Sequence, residues 1–162
     1  MLARVASLRS GIFLLSVVFL SCLAGTARSE QVPEVSPHER TVAAESFATE
    51  RLWAWQKRLN LQDWKIALVM ARSTELRPKT LGNIHWDLEK KTAVLHVLDP
   101  LDYRLPWREM LDDIEFTVVH ELIHLEFAPV VSDLQRSEAN RREEEHAVNQ
   151  MATALLKLDR GR

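Results

Sequence analysis

A chain of 162 residues, 46% hydrophobic and 27% charged, fits one ordinary globular domain. Its 21 basic and 23 acidic residues nearly cancel and no basic block occurs, which argues against nucleic acid as a partner. The single cysteine, Cys22, lies near the N-terminus, so a chain that loses its first residues keeps neither thiol nor disulfide, a composition compatible with an oxidising compartment.

Arg4 and Arg9 precede an apolar run over residues 11–24, and the small residues Gly25, Thr26 and Ala27 follow it. This order describes a signal peptide over residues 1–27. The run is short of the about 20 residues that a membrane span requires; an uncleaved N-terminal anchor is the alternative. Phe19-Leu20-Ser21-Cys22 also allows a lipoprotein signal ending before Cys22, although Leu20 stands where such signals carry a small residue. In each case the chain is expected to be exported, and a membrane enters only through the leader or a lipid on Cys22.

Residues 28–40 carry Pro33 and Pro37 and little that could be buried, and read as a flexible linker. A single domain is expected over residues 41–162. Residues 41–59 show helical spacing through Val42, Phe47, Leu52, Trp55 and Leu59, with Trp53 and Trp55 expected in the core. Residues 64–70 alternate through Ile66, Leu68 and Met70 as a strand. Residues 81–86 and 92–98 flank a polar turn and read as a hairpin. Pro106 is well placed before a helix over residues 107–127. Residues 128–136, with Pro129, are expected as a loop. Ser137 caps a last helix with Val148, Met151, Ala152, Leu155 and Leu158 on its apolar side. The fold class is therefore α+β: an N-terminal helix, a small, mostly antiparallel three-stranded sheet, and two further helices.

The helix over residues 107–127 carries the chemistry. Leu111, Ile114, Val118, Leu122 and Leu125 form a stripe that faces a core, while His120 and His124, one turn apart, point together to another side. Asp113 and Thr117 share that line and could support the imidazoles. Glu121 lies about 100° round from His120. Two neutral imidazoles on one face with a carboxylate beside them are the arrangement that holds one zinc ion next to a general base. A catalytic zinc usually takes a third protein ligand. Glu144 and Glu145 are the candidates, since both lie near the apolar side of the last helix, and periodicity does not separate them.

His120-Glu121-Leu122-Ile123-His124, set among uncharged neighbours and followed by a glutamate on a second helix, resembles the zincin superfamily of zinc metallopeptidases and its gluzincin branch. Glu145-His146-Ala147-Val148-Asn149 matches the Glu-x-x-x-Asn form of that branch's third-ligand helix. The resemblance implies Glu145 as the third ligand, Asn149 as a residue that steadies the site from behind, and a zincin-like fold of the short minigluzincin layout. It further implies a peptide or protein substrate bound along a sheet edge. The metzincin extension is absent, because Phe127 and Val130 stand where it needs glycine and histidine.

Zinc held by His120, His124 and Glu145, one ion per chain, would lower the pKa of a bound water to about 7. Glu121 would take its proton and pass it to the leaving amine. His85, His96, Tyr103 and His146 are candidates for the donor that stabilises the oxyanion, with Tyr103 preferred for its position just before the motif helix. The competing readings are an exported zinc-binding module without turnover, which would have no use for Glu121, and a zinc amidase acting on a non-peptide amide.

Overall fold

The computed structural model of the chain describes residues 36–131 and 137–161. The leader expected over residues 1–27, with Cys22, and residues 28–35 of the expected linker lie outside them. Among the described residues no helix is long and apolar enough to cross a membrane.

The first helix, α1 (Pro37–Arg58), starts four residues before the expected position 41 and takes in the end of the stretch read as linker. The cause is a capping box. The Ser36 hydroxyl accepts from the Glu39 amide at 3.2 Å, the Glu39 carboxylate accepts from the Ser36 amide at 2.8 Å, and Pro37 occupies the first turn, where a missing N–H costs nothing. Ala44, Ala48, Leu52 and Trp55 form the buried side of α1. Trp53, expected in the core with Trp55, is 68% exposed. Two residues apart on a helix, the two indoles cannot share a face.

Three strands follow: β1 (Lys65–Ala71), β2 (Gly82–Asp87) and β3 (Thr92–Leu98). The expected hairpin forms, with β2 antiparallel to β3 from Gly82 opposite Val97 to Asp87 opposite Thr92. β1 joins the other edge of β3 in parallel, so the order is β1-β3-β2 and the sheet is mixed rather than mostly antiparallel. The chain crosses between β1 and β2 to the far edge and returns to fill the centre. Alternation in β1 marks its buried side but not its partner or direction. Ala93, Leu95 and Val97 on the inner side of β3 meet the core, whereas Val94 on its outer side and Val69 of β1 are exposed.

The second helix, α2 (Trp107–Val131), packs against α1, α3, β2 and β3. Of the expected stripe Ile114, Val118, Leu122 and Leu125 are fully buried and Leu111 is half-buried against the core, and Val119 and Ile123 are buried as well. The helix runs through Pro129 instead of ending at residue 127. A proline in the last turn removes only the bond to the carbonyl one turn back, so the turn can still close. The third helix, α3 (Glu138–Arg160), begins at Ser137, whose hydroxyl accepts from the Asn140 amide at 3.0 Å. Its buried residues Val148, Ala152 and Leu156 recur every fourth position, and Leu158, two residues from Leu156, is 64% exposed rather than part of the apolar side.

Glu115 ties the three helices together. The residue is 7% exposed; it accepts from the Trp55 indole N–H at 2.9 Å and lies 3.6 Å from the Arg51 guanidinium and 3.5 Å from that of Arg160. Arg160 also pairs with Asp112 at 2.9 Å, and Arg58 of α1 with Asp159 of α3 at 2.8 Å. Deleting a buried acceptor strands its donors, while deleting an exposed partner costs little. Glu115→Ala is expected to lower the unfolding free energy in urea by about 2 kcal/mol and Arg58→Ala by less than about 1 kcal/mol; equal effects would contradict this account.

Candidate metal centre

The buried stripe of α2 leaves His120, Glu121 and His124 facing a cleft of about 570 Å³ between β2, α2 and α3. α3 lies against α2 so that Glu144 and Glu145 reach the histidines. The Nε2 atoms of His120 and His124 are 3.1 Å apart, and Glu145 Oε2 stands 3.4 Å from the first and 3.6 Å from the second. One ligand atom from each of these three residues falls within 4.8 Å of the others, a group that could hold a metal ion.

Glu144, the alternative third ligand, has a different place. Its Oε1 lies 3.0 Å from His124 Nδ1, on the far side of the ring from the group. A carboxylate there accepts the Nδ1 proton and so selects the tautomer whose Nε2 presents a lone pair to His120 and Glu145. Asn149 lines the cleft with its side chain close to His120. Burial, and then the neighbouring His124, push the His120 pKa down, while Glu145 and Asn149 act in the opposite direction. A neutral imidazole is the form that binds metal.

Glu121 is 8% exposed and lines the same cleft. Loss of hydration, followed by the negative charge of Glu145, pushes its pKa up to about 8. β2 presses against it: a methyl group at Gly82 would lie 2.5 Å from Thr117 Cγ2, 2.6 Å from the His96 carbonyl oxygen and 3.7 Å from Glu121 Oε1. An isolated glycine in a strand marks this kind of close backbone approach, a signal the sequence offers.

The other candidates scatter. Tyr103, preferred as oxyanion donor, is absent from the cleft wall; its hydroxyl is buried near Asp113 and Thr117, and burial, then Asp113, raise its pKa. Asp113 is likewise raised by burial and does not line the cleft, and the Thr117 hydroxyl donates to the Asp113 carbonyl at 3.0 Å. His96 Nδ1 meets Asn83 Oδ1 at 2.8 Å, and His146 pairs with Gln150 at 2.9 Å away from the cleft. His85 lines the cleft, its ring centroid 5.9 Å from that of His96. Arg77, Lys79 and Arg141 also border it, which periodicity gave no reason to expect. Comparison of the chain with protein-family models, curated proteins and solved structures finds no match.

Two measurements test this geometry. With chelator present, the folded chain keeps a proton on Glu121 that the unfolded chain releases near 4.5, so stability is full below that pH and falls as pH rises to about 8. Glu121→Gln should remove this slope, gaining on the parent at pH 8 but not at pH 4.5; urea curves with the same spacing at both pH values would refute it. Gly82→Ala should cost about 1–3 kcal/mol through overpacking against α2, and an unchanged midpoint would mean that β2 and α2 are not in close contact.

Proposed function

We propose that the protein is an exported zinc-dependent peptidase with a zincin-type fold of the gluzincin branch, in which His120, His124 and Glu145 hold one zinc ion and Glu121 is the general base. The observation that carries the proposal is the convergence in one cleft of two imidazole nitrogens, a carboxylate oxygen and a second carboxylate outside that group. Three atoms each about 2.1 Å from one tetrahedral ion stand about 3.4 Å apart. The separations of 3.1, 3.4 and 3.6 Å lie around that value. Two nitrogens and one oxygen are also a donor set of hydrolytic zinc, and a carboxylate behind an imidazole, as Glu144 stands behind His124, is a common support for it.

When bound, zinc supplies Lewis acidity that acidifies water and polarises a carbonyl. Glu121 takes the proton from the attacking water and delivers it to the amine nitrogen as the peptide bond breaks. It must be ionised for the first step, and a divalent charge beside it favours the carboxylate against the effect of burial. β2 is an edge strand, and residues 82–86 of it line the cleft. Its outer edge is suited to pair with an extended peptide, bringing a scissile bond past Glu121. Export rests on the leader read over residues 1–27.

Dialysis against zinc followed by metal analysis should find about one ion per chain. Glu145→Ala should lose the metal, and Glu144→Gln should weaken its binding by about 10–100-fold. Glu121→Gln should keep the metal and reduce hydrolysis of an unfolded protein substrate by at least about 100-fold. A zinc-free protein in excess zinc, or unchanged turnover in Glu121→Gln, would overturn the proposal.

A further inference from the structure

The cleft carries charge that the proposed chemistry does not use. Arg77 and Lys79, in the connection between β1 and β2, and Arg141, in the first turns of α3, all line it. Among the described residues Arg77 and Lys79 form no ion pair, and Arg141 has only an exposed contact at 3.5 Å with Glu138 of its own helix. The acids of the cleft are otherwise engaged. Glu144 lies on His124 Nδ1 at 3.0 Å, Glu145 faces the two Nε2 atoms, and Glu121 is buried at 8% exposure. Three long cationic side chains from two separate elements therefore border a cleft whose own acids pair with none of them.

Building on the peptidase reading, we propose that this cleft selects peptides bearing a carboxylate close to the bond to be cleaved, and that Arg77, Lys79 and Arg141 recognise it. Guanidinium forks match a carboxylate in two hydrogen bonds, and a cluster of one sign in a cleft draws the opposite charge from solution. The carboxylate belongs either to an acidic side chain or to a free C-terminus; the chemistry recognised is the same. Exposed pairs are individually weak, so the preference shows mainly in KM and fades with salt. Lys79 holds a left-handed backbone with φ of 66°, which glycine adopts without strain. Lys79→Gly therefore deletes one charge while easing the fold.

The test uses four labelled peptides of one sequence, carrying Glu or Gln beside the central bond and a free or amidated C-terminus. Binding is followed by anisotropy on the full chain in chelator, and turnover on the zinc-loaded chain. At low salt the peptide with the recognised carboxylate should bind about threefold to tenfold tighter than its neutral counterpart, with kcat little changed. The Glu/Gln pair reports a side chain and the acid/amide pair a C-terminus. Arg77→Gln/Lys79→Gly/Arg141→Gln should erase the difference, and Lys79→Gly alone should reduce it if the triple variant fails to fold. Equal binding of all four peptides overturns the inference even when each is hydrolysed. Selective binding without hydrolysis of any peptide upholds recognition and overturns the peptidase reading instead.

Discussion

The register between α2 and α3 is the constraint on which the rest depends. The two helices run in opposite directions, so Arg160 near the end of α3 meets Asp112 and Glu115 early in α2, while Glu144 and Glu145 meet His124 a few turns later. Val148 and Ala152, both fully buried, fill the interval. A slip of one turn moves a helix about 5.4 Å, more than the 3.4 Å that separates Glu145 from His120. The polar contacts at one end thus hold the candidate ligands at the other. Packing sets the geometry of the group, and the charge of Glu145 beside the buried Glu121 helps to keep a proton on Glu121 when no cation is present.

The second constraint is the approach of β2 to α2. With no side chain, Gly82 lets the backbone of an edge strand lie against Thr117 and close to Glu121. Glu121 is buried beside that contact, its pKa raised by loss of hydration, and residues 82–86 of β2, an edge strand, line the cleft. One close approach thereby serves both a carboxylate poised near neutral pH and a strand edge available to an extended chain. The peptidase proposal draws on both.

Much of this was legible in sequence because helix periodicity reports faces. Ile114, Val118, Leu122 and Leu125 are buried as their spacing indicates, and His120, Glu121 and His124 stand on the side left over. Spacing alone could not choose between Glu144 and Glu145, which lie one position apart; only the packed helices show Glu145 at the Nε2 atoms and Glu144 behind His124. The parallel placement of β1 escaped because alternation carries no information about a partner. Glu115 was readable in principle, since at helical spacing it falls at the edge of the stripe, about 20° from Leu122, where a charge must find buried partners. Tyr103 shows the converse error: closeness in sequence to the motif helix did not bring its hydroxyl to the cleft.

The central claim is that two separate helices supply two nitrogens and one oxygen to a single ion. X-ray absorption at the zinc edge of the loaded chain tests it most directly. The account predicts a four-coordinate first shell of nitrogen and oxygen at about 2.0–2.1 Å with the outer-shell scattering of two imidazoles, and loss of that bound zinc in His124→Ala. A shell of six oxygens without imidazole scattering, or a spectrum unchanged by His124→Ala, would contradict it.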